Sequence, residues 1–222
     1  MSELTELKNK RIFGSVFEVH VNQSLRSEID PKEDKDGIFF NLYSAIFYGA
    51  ARLGTSVVQS VPSIRDAWGD PDLERADMIF KVCCLPLISI ASRVIGDQNK
   101  WTPGQRAEVT RSRFEDVANI IQTSIDIDYC MELDVQYNYD VDNNGGGESC
   151  MAGYAYLFYQ KVRELMAIIP GIDWESIKYP IAANGIPAVT AAEYAEIVVM
   201  SGLIKDAGEL MFKAFEKYMT EK

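Results

Sequence analysis

The sequence has little of what most catalytic and metal centres use. His20 is the single histidine among 222 residues, so motifs built on two histidines, such as HExxH or a di-iron ExxH pair, are absent. No GxxxxGK[ST] or GxGxxG segment occurs, and these are the usual phosphate-binding loops. His20 itself stands in the apolar segment "FEVHV" and is predicted to be a partly buried core residue.

Cysteine pairs of metal-binding or redox spacing are also lacking. Cys83 and Cys84 are adjacent, Cys130 and Cys150 are isolated, and none belongs to a CxxC segment. This spacing predicts buried free thiols in a reducing compartment. The first residues, "MSELTELKNKR", lack the apolar run of a signal peptide, so a cytoplasmic location is expected.

Basic residues are outnumbered. The chain has 22 Lys and Arg against 33 Asp and Glu, a net charge of −11. Binding to nucleic acid or to an anionic membrane needs a positive surface, so neither is expected.

What the chain does contain is helical periodicity. We predict one all-α domain over residues 1–222, a bundle of five to six helices with one long acidic, glycine-rich loop, and residues 1–37 as a possible semi-independent arm.

Residues 2–25 fit both a helix and a strand, and a helix is favoured. Later helices are predicted to start at Asp70 with Pro71, and at Thr102 with a capping box to Gln105. Others are predicted at 151–168 and from Thr190 to about Tyr218, and the helix that starts at Thr102 is predicted to run to about Asp134. Within the helix that starts at Asp70, Pro86 is expected to kink the helix or to split it in two, and Gly96 to cap the end.

Residues 38–61 are the most apolar stretch and are long enough to span a bilayer. Arg52 lies inside this stretch, and an arginine at mid-membrane costs roughly 2.5–3.5 kcal/mol on insertion scales. We therefore predict a buried or interface helix rather than a membrane span.

The segment "DVDNNGGGES" resembles part of a calcium loop. Counted from Asp140, side-chain oxygens stand at positions 1, 3, 5 and 9, from Asp140, Asp142, Asn144 and Glu148. The glutamate required at position 12 is replaced by Met151, and the preceding "DVQYNY" does not predict a helix. These four residues are candidate calcium ligands, and a solvated loop is the alternative. No other cofactor is expected.

An acidic stretch surrounds that segment. Seven carboxylates and no cation occur from Asp126 to Glu148, after a stretch rich in Lys and Arg. One hypothesis is that the opposite charges attract neighbouring copies in head-to-tail assembly, with solvated faces as the alternative. Another is a metal-dependent enzyme that uses Asp126, Asp128 and Glu132.

Two predicted helices carry more aromatic side chains than a single inward-facing stripe requires. The leading hypothesis is a non-enzymatic protein-interaction module, either a homo-oligomer or a subunit that binds a protein partner. The interface residues predicted from the two aromatic helices are Phe39, Phe40, Tyr43, Phe47, Tyr154, Tyr156 and Tyr159. A further alternative is a pocket for a small apolar ligand, lined by Phe39, Phe47 and Phe158.

Overall fold

The computed structural model describes residues 3–144, 155, 159, 162 and 191–220, with the backbone alone at 136, 140 and 144. This part of the chain contains no strand, so the predicted all-α class is confirmed. It contains seven helices of at least seven residues, against five to six predicted for the whole chain. The helices are α1 Glu3–Val19, the single turn α2 Arg26–Glu28, α3 Ile38–Ser60, α4 Pro62–Trp68, α5 Leu73–Gln98, α6 Pro103–Ile120, α7 Ile127–Asn144 and α8 Ala191–Thr220.

Helix α3 lies at the centre and packs against α1, α5 and α8. Its apolar residues recur on nearly every face, which is the pattern of a helix enclosed by others. Two glycines allow the close approach. A Cβ at Gly49 would lie 2.9 Å from Leu87 Cδ1 on α5, and a Cβ at Gly54 would lie 2.6 Å from Phe13 Cε1 on α1. The core is therefore built around the segment that the sequence marks as most apolar.

The N-terminal segment is helical, as favoured. Helix α1 is followed by a π-helical turn, His20–Leu25, which leads directly into α2. His20 is buried as predicted: its ring stacks on Phe80 with centroids 5.2 Å apart, and Nε2 lies 2.9 Å from Asp77 Oδ1. These contacts attach the π-helical turn to α5.

One of the predicted helix starts is confirmed and another is wrong. The capping box at α6 is present, because Thr102 Oγ1 accepts from Gln105 N and Gln105 Oε1 accepts from Thr102 N. Helix α5 begins at Leu73 and not at Pro71, because its N-cap is Asp72, whose Oδ1 accepts from Arg75 N at 2.7 Å. Two aspartates flank Pro71, and the second one is in place to reach the third helical amide.

Helix α5 is not split at Pro86, and the prediction for its end is wrong. The helix continues past Pro86 to Gln98, with buried residues on both sides of the proline. One missing hydrogen bond costs less than the packing of those residues supplies. Gly96 lies inside the helix, where a Cβ would stand 3.1 Å from Trp101, and Asn99 is the C-cap.

The predicted helix from Thr102 to Asp134 is divided in two. Helix α6 ends at Ile120, and Gln122 has a positive φ of 48°, a conformation that stops a helix. Helix α7 then starts beside Asp126, whose Oδ1 accepts from Tyr129 N at 2.9 Å. The segment "DVQYNY", not predicted as helix, is part of α7.

The turn between α6 and α7 brings opposite charges together inside one chain. Arg111 Nη2 lies 2.8 Å from Asp128 Oδ1, and Arg93 Nη2 on α5 lies 2.6 Å from Asp142 Oδ1. Part of the charge polarity that suggested head-to-tail assembly is thus satisfied within the molecule. The exposed pair of Arg111 with Asp128 contributes little to stability, at about 0–1 kcal/mol.

The C-terminal helix is confirmed and extends to Thr220. Its predicted cap, Thr190, lies outside the described residues, as do most of the predicted helix at 151–168 and the connection that follows it.

Candidate binding site

A cleft of about 310 Å³ lies between the segment 28–34, the start of α3 and one face of α6. Its volume is at the lower end of the range for ligand sites, large enough for an extended side chain. The walls carry the carboxylates of Glu28, Asp30, Glu33, Asp34 and Asp116, the guanidinium of Arg113, and Ile29, Phe39, Tyr43, Ser112, Asn119 and Ile120.

Two aspartates fix the shape of the loop that forms one wall. Gly37, with a left-handed φ of 68°, precedes α3 and has no side chain to cap the helix. Asp34 takes over that role: its two carboxylate oxygens accept from Phe39 N at 2.9 Å and from Phe40 N at 3.0 Å. Asp30 Oδ1 accepts from Lys32 N at 2.8 Å. A carboxylate at a helix N-terminus is also favoured by the helix dipole, so Asp34 stabilises the start of α3, while Asp30 stabilises the turn before it.

The opposite wall is organised around Arg113. Its guanidinium carbon lies 4.7 Å from the centre of the Phe39 ring and 5.7 Å from that of Tyr43, within the range of cation–π contacts. Its Nη1 lies 3.0 Å from Asp116 Oδ2 and donates to the Tyr43 hydroxyl at 2.5 Å. The Tyr43 hydroxyl in turn donates to Asp116. One cation, two aromatic rings and one carboxylate are thus joined in a single network.

The Tyr43 hydroxyl stays protonated in this network. Burial is the largest cause that raises the pKa of Tyr43, and Asp116 adds to it, while Arg113 opposes it. The phenol therefore acts as a neutral donor to Asp116 near neutral pH.

Electrostatically the cleft favours cations. Five carboxylates against one guanidinium leave a net charge of −4 on its walls. Concave surfaces of one sign concentrate ions of the opposite sign. In the described residues no group of three His, Cys, Asp or Glu side chains is arranged to hold a metal ion, and the carboxylates of the cleft are spread around its walls. An organic cation beside an aromatic ring suits this lining.

The predicted interface residues occupy different environments. Phe39 is 38% exposed at the mouth of the cleft, and Phe40 is half-buried against the core. Tyr43 and Phe47 are buried, Phe47 against Phe80, so in this structure they belong to the core of the chain and do not form an outer surface. Tyr159 is also buried, and its hydroxyl donates to Glu196 on α8. Tyr154 and Tyr156 lie outside the described residues.

The predicted calcium ligands lie partly on α7. Positions 140, 142 and 144 belong to that helix, and Glu148 lies outside the described residues. The exposed carboxylate of Asp142 is paired with Arg93, and the hydrogen bond from Arg93 holds the pKa of Asp142 below its ordinary value. Calcium binding by these residues stays a prediction.

The acidic cluster predicted for an enzyme is spread along the start of α7. Asp126 caps the helix, and Asp128 is paired with Arg111. Glu132 follows one turn after Asp128 on the same helix. The first two carboxylates thus have structural partners, which a sequence motif alone does not reveal.

The predicted apolar pocket is not formed by its two described residues. Phe39 lines the polar cleft, whereas Phe47 packs in the core, and Phe158 lies outside the described part of the chain.

Helix α5, and not α3, is long and apolar enough to cross a membrane by length and composition, judged over the residues that the structure describes. More than half of its apolar stretch is buried inside the protein, as in the core helix of a globular fold. Arg52 on α3, the residue that argued against a span there, is exposed and lies over the Tyr48 ring.

The three described cysteines are buried and free. Burial raises the pKa of each thiol, to about 12 for Cys130. Protonated, enclosed thiols are unreactive, which agrees with the structural role predicted for them.

Sequence reasoning missed the cleft because its walls are distant in the chain. The segment "SEIDPKEDKDG" was recognisable as a charged loop, but Arg113 follows it by more than 70 positions, and helical spacing does not indicate which helices become neighbours. No protein-family model, no curated protein and no solved structure matches this chain, so its function is inferred from the geometry of its own residues.

Proposed function

We propose that this chain is a non-enzymatic protein-interaction module that holds a basic segment of a partner protein in the acidic cleft. The observation that carries the proposal is the combination, in one open cleft, of four excess negative charges with the exposed face of Phe39. Aromatic rings beside carboxylates are a common means of binding lysine and arginine side chains.

Several features support a protein partner. The cleft is open to solvent and opens next to Phe39 and Ile38, both about two-fifths exposed. Apolar side chains of this kind beside a charged recess provide contact area in interfaces, while the charges set orientation and association rate. The net charge of −11 disfavours a second copy of the same chain as the partner and favours a basic one.

The test is the binding of a short labelled peptide that alternates arginine or lysine with glycine and serine, measured by fluorescence anisotropy. Glu28 and Glu33 are the residues to change, since both are exposed and neither carboxylate has a partner among the described residues. We expect the double substitution Glu28→Gln, Glu33→Gln to weaken binding about two- to thirty-fold, because two exposed ion pairs contribute about 0.2–1 kcal/mol each.

The matched control is Glu108→Gln, Glu115→Gln. These two exposed glutamates on α6 lie outside the cleft, and their replacement changes the net charge equally. Equal weakening in both double variants would mean that overall charge, and not the cleft, attracts the peptide. An acidic peptide of the same length should not bind, and spermine should compete only weakly if the partner is a protein.

A further inference from the structure

Arg113 occupies the part of the cleft that an incoming cation would use. The Phe39 ring, the Tyr43 hydroxyl and the Asp116 carboxylate all face its guanidinium, at the distances given above, and its side chain is only 19% exposed. We call the site formed by the Phe39 ring, the Tyr43 hydroxyl and the Asp116 carboxylate the inner seat. It holds a planar guanidinium against an aromatic face and a carboxylate, which is the arrangement in which arginine outperforms lysine.

The remaining carboxylates of the cleft offer a weaker position. Both oxygens of Asp34 are engaged by backbone amides, and Asp30 is engaged by Lys32 N. Glu28 and Glu33 stand exposed at the rim. Ion pairs made there are screened by water and salt, so a basic segment held by the rim alone binds weakly.

We propose that Arg113 is an intramolecular competitor that holds the inner seat until an arginine of the partner displaces it. This rests on the proposed function and deepens it in two ways. It names arginine as the recognised side chain, and it makes Arg113 the residue that sets affinity. Binding proceeds from capture at the rim to exchange of one guanidinium for another in the inner seat.

The direct test is the replacement Arg113→Met, which keeps an unbranched apolar side chain and removes the competing cation. The control is Arg111→Gln on the same helix, since Arg111 pairs with Asp128 and does not line the cleft. We expect Arg113→Met to bind the arginine peptide about tenfold more tightly than the wild type, and Arg111→Gln to change affinity by about twofold or less. The lysine peptide should gain less than the arginine peptide.

A second variant tests whether Arg113 holds the inner seat by its planar guanidinium or only by its positive charge. Arg113→Lys keeps the positive charge but loses the planar donor fork, so it should also bind the arginine peptide more tightly than the wild type, by about two- to fivefold. Arg113→Lys also tests the proposal if the Arg113→Met protein does not fold. Unchanged or weaker binding in Arg113→Lys would mean that Arg113 supports the site and does not compete for it.

Asp116→Asn completes the test. In the wild type this substitution should alter peptide affinity little, because it weakens the contact of Asp116 with Arg113 in the free protein and with the incoming arginine in the complex alike, and the two losses largely cancel. In the Arg113→Met background it should abolish most of the tenfold gain. If the wild type and every variant fail to bind any basic peptide, the proposed function is wrong. If the wild type binds and Arg113→Met gains no more than Arg111→Gln, only the competition by Arg113 is wrong.

Discussion

At the scale of single residues, Asp134 is a carboxylate buried within the described part of the chain. It lies on α7 with 2% of its surface exposed, and Asn138 Nδ2 donates to its Oδ2 at 3.1 Å. Its Oδ1 is buried and, among the residues that the structure describes, has no partner in good hydrogen-bond geometry. Burial raises the pKa of Asp134 to about 6, although Ser89, Arg106, Arg93 and Asn138 lower it in part. An ionised carboxylate at this place costs free energy that a neutral amide would not.

The substitution Asp134→Asn should therefore stabilise the protein at high pH. A carboxyl whose folded pKa lies above its unfolded value favours the fold while it is protonated, and this contribution is lost as pH rises from about 4 through about 6. The gain from Asn at pH 8 is at most about 3 kcal/mol, and it should vanish near pH 4. Urea unfolding of both proteins at pH 4 and pH 8 measures it.

The control for this measurement is Asp128→Asn, on the same helix but 84% exposed. It should shift the free energy of unfolding by less than about 1 kcal/mol at pH 8 and in the destabilising direction, because it breaks a surface pair with Arg111. If the effect of Asp134→Asn is the same at both pH values, ionisation is not its cause.

At the scale of helices, the start of α3 depends on an aspartate that is four positions upstream of the first helical residue. Replacing Asp34 with Ala removes acceptors from Phe39 N and Phe40 N, and caps of this kind contribute typically about 1 kcal/mol. Asp34→Ala should lower the free energy of unfolding by about that amount and also weaken peptide binding, since the same loop forms the cleft. The comparison is Asp36→Ala, an exposed neighbour outside the cleft lining. Chemical denaturation and peptide anisotropy should both separate the two variants.

The helices themselves were predictable where local signals agree. The apolar stripe of α3 repeats along the whole helix and the capping box of α6 is complete within four residues, and both were identified from the sequence. The start of α5 was missed by two residues because Asp70 and Asp72 offer equivalent local signals around Pro71. The reversal after Ile120 was missed because neither glycine nor proline marks it, and Gln122 adopts a positive φ instead.

The candidate site was less predictable than the helices. Phe39 was predicted as an interface residue, but its contact with Arg113 arises because α6 lies beside the start of α3. Conversely, Phe47 and Tyr43 fit an interface by composition and lie in the core. Aromatic residues serve both purposes equally well, so only tertiary packing separates them.

At the scale of the whole molecule, the arrangement of α3, α5 and α8 depends on a glycine at their crossing. A Cβ at Gly49 would approach Leu87 Cδ1 at 2.9 Å, Met211 Cβ at 3.2 Å and the Ala207 carbonyl oxygen at 3.3 Å. The backbone oxygen cannot move without shifting α8, and closely packed interiors do not absorb extra atoms freely. We expect Gly49→Ala to destabilise the protein by about 1–3 kcal/mol despite the better helix propensity of alanine.

The chain provides its own control for this prediction. Gly14 in α1 and Gly202 in α8 also lie inside helices, but a Cβ at either position would meet no atom of the described residues within 4 Å. At these positions the higher helix propensity of alanine is not opposed by a steric clash. Gly14→Ala and Gly202→Ala should therefore each stabilise the protein by about 0.5–1 kcal/mol. Thermal and urea unfolding of the three variants would show opposite signs for the buried and the open positions. Stabilisation by Gly49→Ala would mean that the three helices are not in close contact there, and the central position of α3 would then be wrong.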